Sequence, residues 1–309
     1  MLQTEERTEI QKFWKAVYDT AYFTSEMGLT SEVLMRAIDD LEDMFRYRGH
    51  MATVEMPLAQ LAGKRVLEIG SGAGGHSALF AKYGAHVTAV DLTSERARAT
   101  SEKFSLMAAR ASHCGAVNAD AEILPFADNS FDIVYSNGVL HHTRDTEAAL
   151  AEAYRVLKPE GRAIIMLYCK TSWAYWFNYW FCAGLLTGRI FGDANWLGRV
   201  TEWSGRNRDQ TVFNPITRCY TKGQMRRMFA VYEDLSLRKG EFYFYLIPKI
   251  GRLYRRWQIR HYGVHPGGRL VYGADWPIQS KLELRLGRLM GFSWFVSARK
   301  PAQAHKVDN

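Results

Sequence analysis

Residues 65–75 read RVLEIGSGAGG, an apolar run that ends in a glycine-rich turn. Val66, Leu67 and Ile69 have the character of a buried strand. Gly70, Ser71, Gly72, Gly74 and Gly75 let the chain reverse sharply and come close to a ligand. The following HSALFAKY, at 76–83, reads as a helix whose free N–H groups start at the turn, where polar or anionic groups bind. Asp91 closes the next apolar run, HVTAVD, with a carboxylate suited to both hydroxyls of a ribose. The glycines alone leave two nucleotide classes open. Gly70, Gly72 and Gly75 also satisfy the GxGxxG pattern of dinucleotide enzymes, whose acid lies about 20 residues on. A tight turn with no ligand is the plain structural alternative, and an acid at this spacing argues against it.

Beyond Asp91 the alternation continues. A helix runs from about Ser94 to Arg110 with Ser94 as its N-cap, followed by a short strand near Ala116, DIVYSN, a helix from about Asp145 to Leu157, and RAIIMLY. Apolar strands alternating with helices of this length predict a parallel sheet covered on both faces. Before residue 62, apolar residues at three-to-four spacing predict helices over 5–23 and 31–47, so 1–61 is read as a helical cap. The core takes 62–170 and 217–300, with a helix over 221–230, a strand over 234–246 and a last strand over 292–300. An aromatic insertion occupies 171–216, a basic one 247–289, and 301–309 is a tail.

The chain has 309 residues, 47% hydrophobic and 23% charged, which excludes a disordered tail or a disulfide-stapled mini-protein. Residues 1–170 hold 18 Lys and Arg against 23 Asp and Glu, whereas 171–309 hold 22 against 9. Eight of the nine tryptophans also follow position 170. Cys114, Cys169, Cys182 and Cys219 show neither a CxxC pair nor metal-ligand spacing, so no metal site is expected. The charged start MLQTEERTEIQKFW lacks a secretory apolar run, which suggests a cytoplasmic protein. The apolar stretch Trp173 to Leu186 is interrupted by Asn178 and falls short of the ~20 residues that span a bilayer. It can lie on the inner face of a membrane but not cross one.

Four segments in order, VLEIGSGAGG (66–75), VDLTSE (90–95), DAEILPFADNSFDIVYSNGVLHH (120–142) and RVLKPEGRAIIM (155–166), resemble the class I S-adenosylmethionine-dependent methyltransferases. The resemblance is to the small-molecule branch that includes the ubiquinone and menaquinone biosynthesis methyltransferases. It covers about 110 residues and implies an α/β fold: a seven-stranded Rossmann-like sheet with the last strand antiparallel, an N-terminal helical cap and two insertions. It also implies S-adenosyl-L-methionine as cofactor. Position by position, Glu68 and the backbone of Gly70, Ser71, Gly72 and Gly74 would hold the methionine moiety and Asp91 the ribose. Leu92 would border the adenine, Asp120 would bond its amino group with Ala121 and Glu122 beside it, the rival role for Asp120 being to cap a turn, and Asn137 with Gly138 would line the methionine end. Glu122 reads as a solvated loop carboxylate.

Sulfonium methyl transfer is an in-line displacement that needs a base only if the acceptor loses a proton. His141 and His142, just past the fourth strand, are the candidate bases, with packing beside the cofactor as the rival role. The acceptor is expected to be a small or lipid-like molecule, anionic in one reading, methylated at oxygen in the leading reading, with carbon and nitrogen left open. Its candidate contacts are Trp14, Tyr18 and Tyr22 on the first helix, Trp173 and Trp176 on a helix of the aromatic insertion, and Arg256 and His265 in the basic one. Ser136-Asn137-Gly138-Val139 replaces the Asp/Asn-Pro-Pro-aromatic motif of enzymes that methylate flipped nucleobase amines, which weakens a nucleic-acid reading. RNA methylation stays as the alternative. A dinucleotide oxidoreductase and a non-catalytic binding protein of the same fold stand behind it, and the sequence leaves the oligomeric state open.

Overall fold

In the computed structural model, residues 2–21, 28–204, 212–247, 249–262 and 279–302 are described. Seven strands form one sheet: β1 (Arg65–Ile69), β2 (His86–Asp91), β3 (Gly115–Asn118), β4 (Phe131–Asn137), β5 (Leu157–Tyr168), β6 (Glu233–Gly240) and β7 (Ser293–Arg299). Their order is β3-β2-β1-β4-β5-β7-β6. The first five pair in parallel. β7 runs the other way: Lys300 N donates to Gly161 O and Glu160 N to Lys300 O, so its end lies beside the start of β5. The order reverses direction between β1 and β4, and ligands of open α/β sheets bind at such a switch point, beyond the carboxyl ends of the strands. Val66, Leu67, Val134, Tyr135, Ile164 and Ile165 have no more than 1% exposure, as expected of parallel strands covered on both faces.

The chain divides into two compact units. The sheet unit comprises the described residues of Met51–Leu167, Thr221–Leu237 and Phe295–Asn309. Its helices include α3 (Gly75–Lys82), α4 (Ser94–Met107) and α5 (Thr146–Val156). Two side chains fasten its loops. Arg155, at the end of α5, donates to the carbonyls of Leu124 and Phe126 and to Asp128 and Glu152, at 2.7–3.0 Å. Lys300, just past β7, donates to the carbonyls of Tyr154 and Leu157 at 2.8 and 2.6 Å and so satisfies the open C-terminus of α5.

The aromatic unit comprises the described residues of Met1–His50, Tyr168–Tyr220 and Arg238–Trp294. It holds α1 (Leu2–Ala21) and α2 (Ser31–Arg48), then a π-helix over Ala174–Leu185, α7 (Ile250–Tyr262) and α8 (Lys281–Met290), with α6 (Lys222–Met228) in the sheet unit. Ile10, Phe13 and Val17 form the buried face of α1, and Leu34, Ile38 and Phe45 that of α2. The N-cap Thr30 of α2 accepts from Val33 N, and Gly49 ends the helix in the left-handed region.

Three local expectations change. The strand expected over 234–246 ends at Gly240, because Phe244–Leu246 tightens into a 3-10 turn. Ser94 is the first helical residue of α4 rather than its cap; Thr93 is the cap residue, and its hydroxyl is committed to Asp91. The aromatic segment expected as an α-helix is wound as a π-helix, with Leu186 N donating to Phe181 O five residues back.

Candidate functional site

The glycine turn and the acid of β2 are joined directly. Gly70 N and Ser71 N donate to Val90 O at 2.7 and 3.1 Å, which draws the turn over the end of β2. Asp91 Oδ2 accepts from Gly72 N at 3.0 Å, and Oδ1 accepts from both Thr93 N and Thr93 Oγ1 at 3.0 Å. A carboxylate offers about four acceptor positions, so three are filled and Asp91 has room for one further direct bond. A ribose diol would therefore share an oxygen with Gly72 N–H or Thr93, a tighter arrangement than the sequence suggests.

Gly70 and Gly74 are obligatory. Both lie in the left-handed region, at φ +78° and +82°. A Cβ on Gly70 would sit 2.2 Å from Val139 Cγ2, and one on Gly74 2.8 Å from Thr100 Oγ1. Gly72 is different, since its Cβ would meet only Arg96 Nη1, at 3.9 Å. Ser71 is buried with its hydroxyl 3.1 Å from that of Thr100, which donates to Arg96 O.

Beneath the turn Glu68 is 2% exposed. Ser77 Oγ donates to its Oε2, and His76 Nδ1 lies 3.9 Å from its Oε1. Burial, reinforced by the charge of Asp91, pushes the Glu68 carboxyl up to about 8 despite the Ser77 bond. His76 is held by Tyr135 Oη at 2.8 Å, and burial lowers it to about 4. Neither His76, Tyr135 nor Arg96 was singled out from sequence. His76 had one available signal, its place at the first turn of the helix after the glycines; Tyr135 and Arg96 look like ordinary core and surface positions until the fold brings them in.

Asp120 is buried and its Oδ1 accepts from Glu122 N at 3.0 Å, so it holds a turn beside Ala121. Glu122 is not a solvated carboxylate: Arg144 Nη2 and Asp145 N donate to it at 2.8 and 3.1 Å. At the end of β4, Asn137 Oδ1 is buried and accepts no hydrogen bond among the described residues. Leu92 is half-buried just past β2. His141 and His142 follow in a 3-10 turn, both buried, with ring centroids 4.1 Å apart. Burial, and then the neighbouring His142, hold His141 well below the usual histidine range, so it is a neutral imidazole at neutral pH. The sequence-derived cofactor residues thus all fall within the sheet unit.

The acceptor candidates belong to the aromatic unit. Tyr18 is buried in its core and Trp14 is half-buried, its ring 4.9 Å from that of Phe13. Trp173 stacks on Phe177 at 5.1 Å, whereas Trp176 is 50% exposed. Arg256 is exposed on α7. Tyr22 and His265 lie outside the described residues, as does most of the 301–309 tail.

The residues fit a nucleoside-bearing cofactor on three counts: a turn in which Gly70 and Gly74 admit no Cβ, a buried carboxylate locked to it, and a buried amide oxygen at the switch point still open to a donor. Among the described residues no group of His, Cys, Asp or Glu is placed to hold a metal.

Residues 67–165 match a family described as a methyltransferase domain. The chain is 42% identical over 113 residues to a ubiquinone/menaquinone biosynthesis C-methyltransferase of Roseobacter denitrificans, covering 35% of this chain and 44% of that protein. It is 36% identical over 109 residues to phosphoethanolamine N-methyltransferase 2 of Caenorhabditis elegans, covering 35% and 24%. The chain thus spans less than half the length of these curated relatives. A Haemonchus contortus phosphoethanolamine N-methyltransferase 2, solved with phosphomonomethylethanolamine and S-adenosylhomocysteine, shares the fold at TM-score 0.50 and 20% identity, covering 85% of this chain and 52% of that one.

Proposed function

Residues 67–165 match a methyltransferase-domain family, and from that match we propose that this protein is a class I S-adenosylmethionine-dependent methyltransferase acting on a small or lipid-like acceptor. The observation that carries the reading is the bond from Gly72 N to Asp91: it fixes turn and acid as one binding element. When bound, S-adenosylmethionine supplies an activated sulfonium methyl. The chain's own residues then have three tasks. Glu68 and the backbone of Gly70, Ser71, Gly72 and Gly74, with Asn137, hold the methionine end. Asp91 takes the ribose, and Leu92, Asp120 and Ala121 border the adenine. Because the displacement is in line, fixing these positions and excluding water supply most of the acceleration.

Oxygen is the acceptor atom we propose to test first. His141, buried beside His142 and held below the usual histidine range, is the base we propose for taking the proton of an acceptor hydroxyl. The named relatives carry carbon and nitrogen specificities, so a panel of phenols, amines and activated carbon acids discriminates among the three. Trp14, Tyr18, Tyr22, Trp173, Trp176, Arg256 and His265 are proposed to choose the acceptor, the arginine favouring an anionic one. The same reading includes peripheral contact with the inner face of a membrane.

Equilibrium binding tests the cofactor assignment. Asp91→Ala is expected to weaken S-adenosylmethionine binding at least tenfold, the loss of one hydrogen bond to a charged group. Unchanged affinity in the variant, or none in the natural protein, rejects it.

A further inference from the structure

We propose that α7, together with the exposed rings of the π-helix, is a docking surface for an anionic lipid bilayer. The proposal rests on the membrane-contact part of the reading above and is independent of methyl transfer. It begins with α7, IGRLYRRWQIRHY, which contains no acidic residue. At 100° per residue, Ile250, Leu253 and Trp257 fall on one strip, and they are 60, 66 and 50% exposed. Arg252, Arg256 and Arg260 form the adjacent strip, and Lys249 immediately precedes the helix; all four are exposed. None of these four cations carries an ion pair among the described residues, so their charge is available to a partner.

The outward aim of this face is fixed from inside the aromatic unit. Tyr254 Oη donates to Glu283 Oε2 of α8 at 2.8 Å, and the buried Gln258 donates to Tyr254 Oη at 3.2 Å. Gly251 packs so closely that a Cβ there would lie 2.2 Å from Tyr245 O. α7 therefore cannot roll to bury its apolar strip without breaking these contacts.

A run of ring contacts ties α7 to the π-helix. Trp257 stacks on Tyr254 at 5.8 Å, Tyr254 meets Phe244 at 5.7 Å, Phe244 meets Phe242 at 5.6 Å, and Phe242 meets Trp173 at 5.7 Å. Trp173 continues to Phe177 at 5.1 Å and on to Phe181 at 6.1 Å. Phe177 and Phe181 are 40 and 39% exposed, and no charged residue occurs between Lys170 and Arg189. Two exposed apolar faces are thus held in fixed relation within one unit, one neutral and one edged with cations.

This chemistry selects an anionic bilayer. Aromatic and aliphatic side chains enter the acyl boundary while the neighbouring cations meet the headgroups. A nucleic acid would use Lys249, Arg252 and Arg260 but gain nothing from Ile250 and Leu253. No described helix is long and apolar enough to cross a membrane, so the contact is made by lying on it.

The test is co-sedimentation of the full chain with vesicles of phosphatidylcholine alone and with about a third phosphatidylglycerol. Binding is expected only to the anionic vesicles and should fall as salt is raised. The triple variant Lys249→Gln/Arg252→Gln/Arg260→Gln should bind roughly a hundredfold more weakly, at about 1 kcal/mol for each cation. Leu253→Ser/Trp257→Ser should lose at least tenfold, because the apolar strip is part of the contact. Equal binding to neutral vesicles, no vesicle binding, or unaffected variants overturns the proposal. So does binding to a single-stranded oligonucleotide that the cation variant abolishes and the Leu253/Trp257 variant spares, with no vesicle binding. Thermal stabilisation by S-adenosylmethionine, read on the same samples, reports separately on the cofactor assignment, so the two failures are distinguishable.

Discussion

Replacing Glu68 by Gln removes a buried ionisable group while keeping an acceptor for Ser77, and the effect on stability has a defined sign. The native carboxyl is raised from 4.5 to about 8, mainly by burial. Below the lower value both folded and unfolded chains are protonated there, and the group contributes nothing. Between the two the unfolded chain gives up its proton and the folded one retains it, so stability falls as pH rises. At 1.36 kcal/mol per unit, the full shift corresponds to a few kcal/mol, and on the order of 5 at most. His76 runs opposite: its lowered value makes stability fall as pH drops from about 6.5 towards 4. Comparing natural protein with Glu68→Gln cancels His76 and every other shared group. The assay is urea unfolding at intervals from about pH 5 to about pH 9, with the difference in unfolding free energy plotted against pH. The variant should gain on the natural protein with rising pH, by up to about 1.4 kcal/mol per unit, and level off above about 8. A difference that stays flat means that Glu68 is ionised in the folded protein near neutrality and refutes the reasoning.

Two further predictions concern the turn and its buttress. Gly70→Ala forces a Cβ into Val139 and should abolish measurable S-adenosylmethionine binding by calorimetry; adding Val139→Ala should restore only part, because the positive φ strain of about 1 kcal/mol persists. Arg155→Ala removes bonds to two backbone carbonyls and two carboxylates and should destabilise the sheet unit by about 2–3 kcal/mol, a figure discounted for the exposure of Asp128. A melting temperature within a degree or so of the natural protein would contradict it.

The alternation of strands and helices, the glycine turn and Asp91 were legible because each is a local pattern: side-chain periodicity and backbone freedom are set by neighbours in the chain. The motif RVLKPEG was legible as a resemblance, but its reason is tertiary: Arg155 reaches the Leu124–Asp128 loop about thirty residues earlier. His76, Tyr135 and Arg96 were missed because burial beside Glu68 or Gly72 arises only when β1, β4 and α4 meet. The winding of residues 174–185 as a π-helix was equally hidden, since a four-residue aromatic spacing suits either helix.

The parallel core, the position of the glycine turn and the uneven division of charge and aromatic residues are all readable from local pattern and composition. Packing settles how the polar groups among them are satisfied, ionised and exposed. It filled three acceptor positions of Asp91, left Asn137 Oδ1 open, made Glu68 and His141 neutral by burial, and turned the strip of α7 outward. Composition and spacing fix what a side chain can do, whereas protonation, satisfaction and exposure depend on neighbours that only folding supplies.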